Sequence, residues 1–185
     1  MKVKIIKVEI KEVVDAQIKK GKPAELPSMQ QDWRFNFDKE IKKLKYATGY
    51  LLVTEETPKV VEGCMIFQLI DKQAPYMAFV EVAPHNKKDI KKYDHVAGCL
   101  IAYAYQLSLV EGWEHFKGYL QFDVMEQDKE NEKKLMSIYS SKYNAKRVGQ
   151  TTTMVIADED GDALIAKYLE PAKEKKDEQE KDQTT

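Results

Sequence analysis

Apolar and polar positions alternate from the first residues of the chain. Val3 and Ile5, then Ile6, Val8 and Ile10, predict an opening strand over Lys2–Ile10. Gly21, Pro23 and Pro27 predict that no long element survives between Val13 and Met29. Trp33, Phe35 and Phe37 alternate again, and Asp38 is placed to cap a short helix running through Leu44. Three strand-like runs follow: GYLLVTEE from Gly49, VVEGCMIFQLI from Val60 and YMAFVEVA from Tyr76. They are separated by ETPK and DKQAP, whose turn chemistry and short length predict an antiparallel meander that Pro84 ends.

The period then changes. After the polar loop His85–Asp94, Leu100, Ala104 and Leu107 recur at helical spacing, predicting a helix over Val96–Glu111. Gly112 and Gly118 bracket its exit, and GYLQFDVM reads as a further strand. A second helix is expected over Glu130–Tyr143, with Leu135, Ile138 and Tyr139 on its apolar side. RVGQ and TTTMVIAD read as a hairpin-like pair, followed by a short helix, DALIAKYL. From Glu170 to Thr185 no large apolar residue occurs, so burial cannot offset the entropy of ordering and a disordered charged tail is expected. Residues 1–169 are accordingly read as one domain.

Composition narrows the function classes. The 185 residues are 43% hydrophobic, enough for a single domain with a substantial core. Thirty Lys plus Arg against 31 Asp plus Glu leave a net charge of −1, which gives no electrostatic reason to expect a nucleic-acid partner. No window approaches a membrane span of about 18 apolar residues, so no membrane partner is expected. Cys64 and Cys99 match no zinc spacing and, without a secretory segment after Met1, read as reduced thiols of a cytoplasmic protein. His85, His95 and His115 are dispersed, and no metal is expected.

One stretch carries most of the functional information. From Tyr76 to Leu169 the order is strand, Pro-His-Asn turn, charged loop, helix, strand, helix and hairpin. The helix is entered through YDHVAG, a tight turn that leaves backbone N–H groups and a positive dipole end available to phosphate. The strand AFVEVAPHN, the helix LIAYAYQLSLVEG, the strand GYLQFDV and the segment KLMSIYSSKYNAKRVG follow in an order that resembles the GNAT superfamily of acetyl-coenzyme A-dependent N-acyltransferases. About half of the chain is covered by the resemblance. It implies an α/β (α+β) fold with a mixed, mainly antiparallel central sheet and helices on both faces. It also implies acetyl-CoA as co-substrate, an amine acceptor on a small molecule or protein, and direct transfer in a ternary complex. The family's Q/R-x-x-G-x-G/A phosphate loop maps onto Lys92-Tyr93-Asp94-His95-Val96-Ala97, so Lys92, His95, Val96, Ala97 and the following Gly98 are the implied cofactor contacts. His95 stands where the family has its first glycine, and Lys92 where it has Gln or Arg. A GNAT-like module that has lost catalysis is therefore the alternative.

Acyl transfer needs a neutral amine, donors for the oxyanion and a proton for the departing thiolate. The resemblance implies that a backbone N–H at Val82 polarises the thioester, that Glu81 assists amine deprotonation, and that Tyr139 protonates the thiolate, with Tyr143 a substitute. Other residues have two readings each. Glu81 is otherwise a half-exposed strand residue and Tyr139 a core aromatic. Cys99, near a helix start, is either an activated nucleophile or a buried structural thiol. His85 and Asn86 either touch substrate or cap the turn. Trp33, Phe35 and Phe37 either line an acceptor pocket or pack the core, and the lysines around Lys87 and Lys91 either meet the adenosine 3′-phosphate or solvate a loop.

Overall fold

A computed structural model describes residues 1–87 and 90–170. Among these residues nine strands form one sheet: β1 (Lys2–Lys7), β2 (Glu12–Gly21), β3 (Ala47–Thr54), β4 (Gly63–Ile70), β5 (Ala74–Val82), β6 (Tyr93–Asp94), β7 (Tyr119–Asp123), β8 (Lys146–Arg147) and β9 (Thr153–Ala157). The helices are α1 (Phe37–Lys43), α2 (Val96–Glu111), α3 (Lys129–Tyr143) and α4 (Asp158–Tyr168). The spatial order is β6-β1-β2-β3-β4-β5-β7-β9-β8. Every pairing is antiparallel except β5 with β7, the connection that crosses over through a helix, α2. The expected mixed, mainly antiparallel sheet is present, as are the β3–β5 meander and the Val96–Glu111 helix. The expected tail lies outside the described residues apart from Glu170.

The N-terminal third departs from its sequence reading. The opening strand stops at Lys7, and the chain turns through a left-handed Lys11 into a second strand of ten residues. Gly21 and Pro23 end that strand rather than preventing it. β2 escapes a periodicity reading because its core face is small: only Ala16 and Ile18 are fully buried, while polar residues occupy the other face.

Two apolar layers sandwich the sheet. On one face, α2, α3 and α4 pack with Ile5, Ile18, Leu52, Met65, Phe67, Leu120 and Phe122. On the other, α1 and the irregular segment before it contribute Leu26, Trp33 and Phe37 against Leu51, Cys64, Ile66 and Ala83. α2 is buried nearly all round, as a helix between a sheet and a second helix must be. α4 lies against it through two notches. A β-carbon on Gly98 would meet the Tyr168 ring at 2.3 Å, and one on Gly161 would meet the Tyr105 ring at 2.0 Å. Glycine at these positions lets the helix surfaces approach.

Candidate active site

The sheet forks between β5 and β7. Their ladder is registered at a single pair, Tyr76 with Gln121, so the strands part company toward their C-terminal ends. The Tyr76 hydroxyl donates to Asp123 Oδ2 at 2.9 Å, and the Thr153 hydroxyl donates to Asp123 Oδ1 at 2.6 Å, pinning the base of the fork. Above it the inner edge of β5 is open. Ala83 N–H points to β4, where it donates to the Glu62 carbonyl at 2.9 Å. Alternation along the strand then turns the Val82 N–H into the gap.

The start of α2 stands beside this gap. Its loop is stitched to the far edge of the sheet: β6 pairs with Ile6 and Lys7 of β1, and Val8 N–H donates to the Lys92 carbonyl. His95 is the N-cap and has φ 70° and ψ −6°, the left-handed conformation for which a glycine is usually selected. Histidine takes this backbone shape at a cost in strain. The Val96, Ala97 and Gly98 N–H groups have no hydrogen-bond partner among the described residues. The charges of Lys91, Lys142 and Lys167, from the loop, α3 and α4, act on His95. Burial holds its imidazole below the usual value; Asp94 opposes that shift and the lysines add to it. Asp94 is also partly buried, which would raise its pKa. Hydrogen bonds from Lys91 Nζ at 2.6 Å and from His95 N–H at 2.7 Å nevertheless hold it below the ordinary carboxylate value.

No family profile matches the sequence, and no curated protein matches it. Solved structures do. AtaTR bound with acetyl-CoA superposes with a TM-score of 0.54 at 14% identity, over 81% of this chain and 98% of the other. The fold is that of the GNAT acetyltransferases. The KacTA–DNA complex is similar at a TM-score of 0.53 and 9% identity, over 82% and 99% of the two chains. A GNAT family acetyltransferase from Elizabethkingia anophelis with acetyl-CoA bound gives a TM-score of 0.45 at 11% identity, over 76% and 94%.

Within this GNAT fold the candidate residues fall into two groups. On the α2 side, Val82, His95, Val96, Ala97 and Gly98 surround the fork and the helix start, whereas the Lys92 side chain is exposed and lies over the Tyr93 ring. Tyr139 stacks on Phe122 of β7, with centroids 4.8 Å apart, and is half-buried. Its hydroxyl has no hydrogen-bond partner among the described residues. Burial, reinforced by the charge of Glu126 and opposed by Arg34, pushes its pKa up to about 12. A line of rings continues from Tyr139 through Tyr143 and Tyr168 to His95. Tyr143 is thereby a wall residue. Cys99 resolves to the structural reading, since its thiol is fully buried, lies 3.4 Å from the Tyr168 carbonyl oxygen, and is pushed up to about 12 by burial.

The other group faces α1. The Glu81 carboxylate is buried and occupied: Oε1 accepts from Arg34 N–H at 2.8 Å and from Lys87 Nζ, and Oε2 from Phe35 N–H at 3.3 Å. It fastens the irregular segment before α1 onto β5. Arg34 in turn forms a two-pronged ion pair with Glu126, at 2.5 and 2.9 Å, joining that segment to the loop after β7. This bridge spans the open end of the fork. Trp33, Phe35 and Phe37 form edge-to-face contacts with one another and with Phe79, which is core packing. Lys87 and Lys91 are engaged with Glu81 and Asp94.

Arg34, Glu126 and Glu62 escape a reading of the sequence. Arg34 and Glu126 are 92 positions apart, and no local pattern joins them. Glu62 does carry a signal: it is a lone carboxylate inside the apolar run Val60–Ile70, where a charge is expensive unless partnered.

Proposed function

We propose that residues 1–169 form one N-acetyltransferase domain that moves an acetyl group from acetyl-CoA to an amine by direct attack in a ternary complex. The observation that carries this reading is the fork itself. An open β5 edge with the Val82 N–H turned inward lies beside a helix whose first N–H groups are unpaired and ringed by lysines. Such a helix start favours an anion such as pyrophosphate. A thioester arm lying along β5 would accept a hydrogen bond from the Val82 N–H, polarising the carbonyl as charge develops on it.

Tyr139 is the proposed acid for the departing thiolate. A phenol whose pKa is pushed up to about 12 stays protonated at neutral pH. The same burial disfavours a bare thiolate next to it, so donor and acceptor rise together. Glu81 lies on the amine side of the fork, as the resemblance implies. Its occupied lone pairs favour a holding role, in which it shapes the acceptor wall and gives it negative charge.

The opposing reading, a CoA-binding or interaction module without turnover, draws on two contacts. Asp94 already occupies the His95 N–H, and the Tyr168 ring covers Gly98. Calorimetry with coenzyme A and release of free thiol with amines separate the two. Binding together with release supports the transferase. Binding without release from a broad amine panel favours the module, and no binding at millimolar coenzyme A overturns both. His95→Gly sharpens the result, because it relieves the left-handed strain and is expected to tighten binding. No helix among the described residues is long and apolar enough to cross a membrane. Two buried free thiols suit a cytoplasmic setting.

A further inference from the structure

The turn that ends β5 is tied down from inside the protein. Glu62 is completely buried, and its Oε2 accepts from Asn86 Nδ2 at 2.8 Å and lies 2.6 Å from His85 Nε2. Asn86 Nδ2 also donates to the Glu62 carbonyl at 3.1 Å, while its Oδ1 accepts from Tyr93 N–H at 2.9 Å. His85 and Asn86 thus fasten the turn to the residue before β4. The backbone of the next residue, Lys87, is fixed with it, its N–H donating to the Pro84 carbonyl at 3.2 Å.

From that anchored position the Lys87 side chain runs back along the strand it follows. Its Nζ donates to Glu81 Oε1, six residues earlier. Glu81 is the immediate neighbour of Val82, whose N–H is turned into the fork. The same Oε1 accepts from Arg34 N–H, and the Arg34 side chain bridges to Glu126 across the open end. A primary amine of the chain itself is therefore moored on the rim of the fork. The Lys87 side chain is 37% exposed and that of Glu81 only 6%. A flexible four-carbon stem on a fixed turn can swing its amine while the carboxylate stays in place.

We infer that Lys87 is a self-modification site, which takes an acetyl group on Nζ from acetyl-CoA bound in the same chain. The inference rests on the acetyltransferase reading above. Nζ first gives one proton to water and attacks as the neutral amine. Its bond to the thioester carbonyl carbon forms as the carbon–sulfur bond breaks, and the nitrogen's second proton passes to water. Tyr139 protonates the thiolate and regains a proton from water, so the products are acetyl-lysine, a free thiol and one net proton. Tethering replaces a collision with a second molecule, which favours this lysine over the others. Acetylated Lys87 has no charge to pair with Glu81, so the wall around that carboxylate becomes more negative.

The test incubates the full chain with acetyl-CoA and follows individual lysines by peptide mass spectrometry. Lys87 is expected to be acetylated roughly 10²-fold faster than the exposed Lys39 and Lys133, at a rate per chain independent of protein concentration. Excess coenzyme A should suppress the reaction at Lys87 and spare the exposed lysines. Lys87→Arg keeps a cation beside Glu81; it should abolish the rapid acetylation with coenzyme A affinity unchanged by calorimetry. Acetylation at Lys87 no faster than at the exposed lysines, in a chain that binds coenzyme A, would overturn the inference. So would a rate proportional to protein concentration, no suppression by coenzyme A, or rapid acetylation that persists in Lys87→Arg. Thiol release with added amines but slow modification of Lys87 would leave the transferase standing and remove only the self-modification. No coenzyme A binding at millimolar concentration would refute the acetyltransferase reading itself.

Discussion

The two sides of the fork are built by different means. On the α2 side the wall is a continuous apolar core into which a helix start, a left-handed His95 and a row of rings are set. On the α1 side the wall is an irregular segment tied down by ions and backbone donors: Glu81 to Arg34 and Phe35, Arg34 to Glu126, and Glu62 to His85 and Asn86. On the proposed transferase reading, the first would hold the invariant cofactor. The second depends on long-range ties between irregular segments and two buried carboxylates, Glu81 and Glu62.

The largest expected effect tests whether chemistry belongs to the α2 wall. Tyr139→Phe should lower the turnover number by roughly 10²- to 10⁴-fold with coenzyme A affinity nearly unchanged, as read by pre-steady-state thiol release and calorimetry. Full turnover under conditions where chemistry limits the rate would remove Tyr139 as the acid. Gly161→Ala tests the rigidity of the same wall. The added carbon would strike the buried Tyr105 ring, and overpacking of about 1–3 kcal/mol should outweigh the roughly 1 kcal/mol that alanine gains over glycine in a helix. Urea unfolding measures the difference, and a stabilised variant would mean that α2 and α4 separate easily.

The α1 wall should respond more weakly in stability and more in substrate handling. Arg34 is about half exposed, so a double-mutant cycle of Arg34→Ala with Glu126→Ala should give a coupling of only about 0.2–1 kcal/mol in unfolding. The Michaelis constant for the amine should move while that for acetyl-CoA does not; equal movement of both would place the bridge on the wrong side of the fork. The smallest effect concerns His95. Its folded-state value lies below that of a free imidazole, so the unfolded chain takes the proton first as pH falls through about 6.5. Stability should therefore decline below that pH. His95→Asn, which keeps a residue tolerant of positive φ, should flatten the decline in thermal melts measured from pH 7.5 to 5.

The same division explains what is legible in the residues. The α2 wall follows from local periodicity: Leu100, Ala104 and Leu107 announce the helix, and Tyr139 falls on the apolar side of the next one. The fork's position follows from the family resemblance that the element order carries. The α1 wall is opaque because its contacts join residues 46, 47 and 92 positions apart. The role expected of Glu81 comes from its strand position, yet what the carboxylate touches is decided by the Trp33–Asn36 backbone, which no periodic pattern foretells. β2 is hidden for a related reason, since a strand with two buried side chains scarcely differs from a polar loop.

The single rung joining β5 to β7 also has a mechanical meaning. Six strands lie on one side of it and three on the other, so the sheet is two stiff plates joined along a short seam. Relative motion of the plates must then grow with distance from Tyr76 and Gln121, opening the cleft tip more than its root. Amide exchange in the three-strand plate should be slowest at residues paired near that seam. The width of the cleft would thus be set by elastic bending about one pair of residues, limited at the open end by the Arg34–Glu126 tie.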